Sequence, residues 1–84
     1  MIVIGRQIRA ARSLLRITRA TLSKASEVPE VTIKAVELET GDPKSSTLEA
    51  ISRALHKAGI EFIDDTDGRG PGVRLQKPPK AKRR

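Results

Sequence analysis

Apolar residues recur with a helical period over most of the chain. Ile4, Ile8, Ala11 and Leu15 fall at steps of four, three and four, which predicts a first helix with a single apolar stripe. Arg6, Arg9, Arg12 and Arg16 lie along its flanks. Thr18 offers a hydroxyl N-cap for a short second helix from Arg19 to about Ser26, with Leu22 as its large core anchor. Val28-Pro29 breaks that helix, and Pro29 suits the first turn of a third, where its missing N–H costs nothing. Ile33 and Val36 direct the third helix into the core, and Gly41-Asp42-Pro43 ends it. Ser46-Thr47-Leu48-Glu49 has the form of a capping box, in which Ser46 and Glu49 satisfy each other's backbone amides. Leu48, Ile51, Leu55 and Ala58 carry the fourth helix on to Gly59, and Glu49 stands one turn before Arg53.

After Gly59 the period changes from helical to alternating. Ile60-Glu61-Phe62-Ile63 and Val73-Arg74-Leu75 flank the turn-rich stretch from Asp64 to Gly72, which predicts a β-hairpin with a long Gly-rich loop. Its apolar residues Ile60, Phe62, Val73 and Leu75 should pack on the Leu48-Ile51-Leu55 stripe. From Lys77 the chain reads Lys-Pro-Pro-Lys-Ala-Lys-Arg-Arg, with no apolar anchor, so residues 77–84 are expected to form a disordered basic tail. The domain then comprises residues 1–76, with the hairpin at about 60–76.

Composition narrows the chemistry. A chain of 84 residues makes one small domain, because two cores would each bury too little surface. There is no cysteine and one histidine, which removes disulfides, thiolate metal sites and cysteine nucleophiles. His56, on the outer side of the fourth helix, has no plausible nucleophile or second ligand beside it. Asp65-Thr66-Asp67-Gly68 fails as a calcium loop, since Ile63 and Arg74 occupy its end positions. Gly68-Arg69-Gly70-Pro71-Gly72 lacks the Gly-Lys-Ser/Thr of a phosphate loop. The expectation is a protein that is not an enzyme and takes no cofactor or metal. No apolar run approaches the roughly 18 residues of a membrane span, and Met1-Ile2-Val3-Ile4 is too short for a signal-peptide core. A cytoplasmic location without membrane contact follows as the expectation.

Charge is distributed unevenly. Residues 1–24 carry +6 with no acid, residues 25–67 carry −6 and contain every acid, and residues 68–84 carry +7. Such asymmetry fits a polyanion partner, although a basic tail beside an ordinary charged surface fits it equally well. Phe62 is the only aromatic residue, which argues against reading single strands by base stacking.

Two short helices joined at Glu27-Val28 form a helix-turn-helix pattern. With Ile8-Arg9-Ala10-Ala11-Arg12, Ile17-Thr18-Arg19, Leu22, Val28, Thr32-Ile33, Glu37 and Ser46-Thr47-Leu48 in order, the sequence resembles the phage-repressor and Cro-type helix-turn-helix regulators, the xenobiotic-response-element family. Ala58 to Ile63 and Gly70 to Leu75 resemble a subgroup of small bacterial regulators with a C-terminal hairpin. The resemblance implies a mainly α, four-helix, lambda-repressor-like fold. It also implies a third helix in the DNA major groove, with Glu30, Val31 and Ala35 facing bases and Pro29, Thr32 and Lys34 alongside.

These are unusual readers, because the strong bidentate contacts use arginine, asparagine or glutamine. Glu30 could accept from a cytosine amino group, or simply pair with Lys34. Val31 or Ala35 could meet a thymine methyl. The start of the second helix would sit on the backbone, with Thr18 and Arg19 holding a phosphate, and Arg9, Arg16 and Lys44 as further phosphate holders. Arg12 and Glu37 match a family ion pair. The family's turn glycine is Glu27 here, which stores about 1 kcal/mol if φ is positive. Ser23 and Ser26 replace small apolar residues and must hydrogen-bond locally when buried.

The function expected is sequence-specific binding of double-stranded DNA by a bacterial transcriptional regulator, nucleoid-associated when bound. A two-stranded sheet leaves two open edges. Closing them through Ile60, Phe62, Ile63, Val73 and Leu75 would give a homodimer with half-sites about 34 Å apart. A monomer with the hairpin as a cap is the alternative. The rival function is an antitoxin-like or adaptor module that holds a protein partner and binds DNA weakly.

Overall fold

The computed structural model describes residues 3–79. Among these, four helices precede a two-stranded antiparallel hairpin: α1 (Gly5–Leu15), α2 (Arg19–Ser26), α3 (Glu30–Glu37), α4 (Ser45–Lys57), β1 (Ile60–Ile63) and β2 (Gly72–Leu75). The fold is small and mostly helical. Within the described residues no helix is long and apolar enough to cross a membrane. Residues 80–84 of the expected tail lie outside the described residues.

The core takes one or two large side chains from each element that reaches it. Ile8, Leu22, Ile33, Ile51, Leu55 and Ile60 are its fully buried large residues, each worth about 1.5–3 kcal/mol in apolar burial. Around them pack Leu15, Ile17, Leu48, Phe62, Val73 and Leu75. The helical stripes thus face inward as their spacing predicts.

Three helices end on a non-glycine residue in the left-handed region: Arg16 (φ 58°), Glu27 (φ 62°) and Glu39 (φ 58°). After α3, the amides of Glu39 and Thr40 donate to the carbonyls of Val36 and Ala35, which closes the helix end in a Schellman arrangement. Ser23 and Ser26 resolve their burial locally. Ser23 Oγ donates to the Val28 carbonyl (2.6 Å) and Ser26 Oγ to the Leu22 carbonyl (2.8 Å). The Ser23 bond braces the α2–α3 turn, and so does the Val28 amide, which donates to Ser26 Oγ (3.2 Å).

Two local expectations need correction. The Ser46–Glu49 capping box does not form. The helix begins earlier, with Lys44 as N-cap, and the Lys44 carbonyl accepts from Thr47 and Leu48. Ser46 is therefore already inside the first turn, where its hydroxyl cannot serve as the cap. Pro29 is the N-cap of α3 rather than a member of its first turn, with extended ψ of 146°.

The hairpin pairs Ile60 with Leu75, Glu61 with Arg74, Phe62 with Val73 and Ile63 with Gly72. Its long loop contains a second tight turn. Thr66 and Arg69 bridge each other around Asp67 (φ 52°) and Gly68 (φ 75°), the double positive φ that a type I′ turn requires. The hairpin rests on α1 as well as on α4, with β2 against α1 and β1 against α4. Gln7, buried in α1, ties the hairpin to that helix. Its Nε2 donates to the Gly72 carbonyl (3.0 Å) and the Ile63 carbonyl (3.4 Å), while its Oε1 accepts from the Ile4 amide (2.9 Å). One side chain thereby caps α1 and pins the loop end of the hairpin.

Candidate nucleic-acid interface

The geometry of α3 is fixed from its inner side. Ile33 and Val36 enter the core, and Glu37 is 3% exposed. Its carboxylate accepts from Arg12 Nε (2.6 Å) and Nη2 (2.9 Å), a bidentate pair, and from Arg19 Nε (3.1 Å). Arg12 Nη1 donates in addition to the Ile17 carbonyl (3.1 Å). A buried carboxylate would ordinarily titrate high. Burial pushes Glu37 up, but the hydrogen bonds and positive charges of Arg12 and Arg19 outweigh it and hold the carboxyl below the usual range. The same contact raises Arg12 above its ordinary value. Three helices thus meet at one carboxylate.

On the outer side of α3, Glu30, Val31 and Lys34 are exposed, whereas Thr32 and Ala35 are half-buried. Val31 is 74% exposed, the most open large apolar residue described. Glu30 and Lys34 form no ion pair, and neither do Glu49 and Arg53. Beside α3 lies a shallow hollow of about 350 Å³, lined by Val31, Thr32, Ala35 and Val36 and by the following turn through Pro43.

At the start of α2, Thr18 is the N-cap, and its Oγ1 accepts from the Thr21 amide (3.1 Å). The amides of Arg19 and Ala20 have no acceptor among the described residues. Arg19 faces two ways, with Nε on Glu37 and its side chain still 33% exposed. Arg9, Arg16 and Lys44 are exposed, and among the described residues they form no ion pair and no hydrogen bond to α3. Arg6, by contrast, is paired with Glu39 (3.2 Å).

The candidates for a dimer contact divide. Ile60 is fully buried within the chain and has no surface left for a second copy. Phe62, Val73 and Leu75 are half-buried against the core, and Ile63 is 38% exposed. Between α4 and β1 runs an open groove of about 800 Å³ with Val3, Leu48 and Phe62 in its lining and Glu49, Arg53 and Glu61 also along it. His56 is exposed, and its Nδ1 lies 3.2 Å from the Ile60 carbonyl.

Gln7 and the Arg19–Glu37 contact were not among the residues singled out from sequence. Gln7 interrupts an arginine-rich flank with a neutral amide, which is the one local sign of a different role. Comparison with protein-family models and with curated proteins finds no significant match.

Proposed function

We propose that the chain binds double-stranded DNA, with α2 and α3 acting as a helix-turn-helix pair and α3 entering the major groove. The observation that carries this reading is the two-sidedness of α3. Its inner face is fastened by Ile33, Val36 and the doubly held Glu37, while Glu30, Val31 and Lys34 face outward. A helix about 10–12 Å across fits a groove about 12 Å wide, provided that the body of the protein holds it at a fixed angle.

The start of α2 supports the same reading. Unsatisfied amides at Arg19 and Ala20 and the positive end of the helix suit a backbone phosphate. The free guanidinium nitrogens of Arg19 can reach it as well. Arg9, Arg16 and Lys44 add cations that form no ion pair among the described residues, and their counterion release would supply sequence-independent affinity. In this reading the protein is a regulator in a bacterial cytoplasm that acts by occlusion or recruitment at a promoter. It would bind as a homodimer through Phe62, Ile63, Val73 and Leu75.

A second reading has one observation in its favour. α3 carries no arginine, asparagine or glutamine, and its most exposed apolar residue is Val31. That surface also suits a protein partner, as in an antitoxin-like or adaptor module.

Titration of mixed genomic duplexes at two salt concentrations separates the two. DNA binding predicts that log K falls with log salt at about −0.9 per phosphate contacted, with some fragments selected above the background. Equal affinity for every fragment would refute the sequence-specific form, and no binding at low salt would refute the whole reading.

A further inference from the structure

We propose that Arg19 is a positioning residue for α3: through its Nε bond to Glu37 it sets the angle between α2 and α3, and with it the selectivity of the protein among duplexes. This rests on the reading of α2 and α3 as the DNA-binding pair, and it gives Arg19 a role other than the phosphate contact expected of a cation at a helix start.

Two helices joined at one end need a second contact to fix the angle between them. The joined end of α2 and α3 is closed by the turn itself, where Ser23 Oγ donates to the Val28 carbonyl (2.6 Å) and the Val28 amide to Ser26 Oγ (3.2 Å). Arg19 is the first residue of α2 and Glu37 the last of α3, so their contact lies at the opposite, open end. There Arg19 Nε donates to Glu37 Oε1 (3.1 Å). The apolar core holds the helices together without directing them, whereas a charge-assisted hydrogen bond fixes both distance and direction. Nor is the carboxylate free to follow Arg19. It is fully enclosed, and Arg12 grips both of its oxygens from α1. Glu37 is thus a fixed post against which the start of α2 is held. The other cations assigned to the DNA backbone have no such tie, since Arg9, Arg16 and Lys44 form no ion pair among the described residues.

Two substitutions separate positioning from charge. In Arg19→Gln the amide nitrogen stands at the same place along the side chain as the arginine Nε, so the bond to Glu37 can be kept while the charge is lost. In Arg19→Lys the charge is kept, but a methylene takes the place of that donor. Both leave the Arg12–Glu37 pair in place, so both should fold, and a thermal melt verifies this. Each protein is titrated at two salt concentrations with a genomic fragment that the wild type selects and with a scrambled duplex of the same length. Arg19→Lys should keep the salt slope and lose about tenfold in the ratio of the two affinities, the equivalent of one misread base pair. Arg19→Gln should keep that ratio, with a salt slope lower by at most about 0.9. Wild-type selectivity in Arg19→Lys, or its loss in Arg19→Gln alone, overturns the positioning role and leaves Arg19 as a charge. A wild type that binds every duplex equally also overturns it, while leaving duplex binding intact. Absence of binding to any duplex at low salt overturns the DNA-binding reading itself, and this inference with it.

Discussion

Arg12 and Glu37 form a bidentate pair across 2.6 and 2.9 Å, and the carboxylate is completely enclosed while the guanidinium keeps 18% of its side-chain surface. Removing Arg12 leaves the enclosed charge with Arg19 alone, whereas removing Glu37 leaves two cations that can turn to solvent. Arg12→Ala is therefore expected to cost about 3 kcal/mol, and Arg12→Ala with Glu37→Ala much less than the sum of the single losses. Urea unfolding of the four proteins gives the coupling. Additive losses would show that the pair carries no specific energy.

The same carboxylate sets an acid limb. Glu37 titrates below its ordinary value in the folded state, so the unfolded chain takes up the proton first as pH falls. Its contribution is fully present above the unfolded glutamate value of roughly 4.3. It is lost as pH drops from there through the lower folded value. Melting temperature followed into acid should fall less steeply for Glu37→Gln than for the wild type. Parallel acid limbs would count against this account.

Glu27 sits at φ 62° at the end of α2, where a side chain is strained and glycine is not. Glu27→Gly relieves that strain at some cost in unfolded-chain entropy. The expected change ranges from none to a gain of about 1 kcal/mol. A clear drop in melting temperature would contradict it.

Gly5 begins α1 with its Cα packed against the Val36 carbonyl, so that a Cβ would overlap that oxygen and crowd Glu39. Since the oxygen belongs to the backbone, α1 must move away from α3. Gly5→Ala should destabilise by about 1–3 kcal/mol, although alanine is the better helix former. An unchanged denaturation midpoint would show that the two helices can separate freely.

Local pattern revealed local structure, and the long-range contacts stayed hidden for physical reasons. The stripe from Ile4 to Leu15 and the alternation at Ile60–Ile63 fix their elements because burial alone sets those periods. Ser23 and Ser26 announce their own bonds, whose partners lie within five residues. The Ser46–Glu49 pattern misled, because Lys44 starts the helix before the serine can cap it. Gln7 gave no clear sign of its role, as its acceptors are 56 and 65 residues away. The same holds for Gly5, whose need for glycine comes from a carbonyl on another helix. Arg19 looked like a free cation at a helix start, and only the fold brings Glu37 to it. Beside that contact Arg19 keeps 33% of its side-chain surface exposed.

The most direct test of the central claim is residue-level mapping of the surface that meets a duplex. Isotope-labelled protein is titrated with genomic-fragment DNA while backbone amide shifts are followed by NMR. If α2 and α3 form the DNA-binding unit, the shifts should concentrate on Arg19, Ala20 and Thr21 at the start of α2 and on Glu30 to Ala35 along α3. The groove between α4 and β1 should stay quiet. Shifts confined to that groove or to the hairpin, with α3 unperturbed at saturation, would contradict the account.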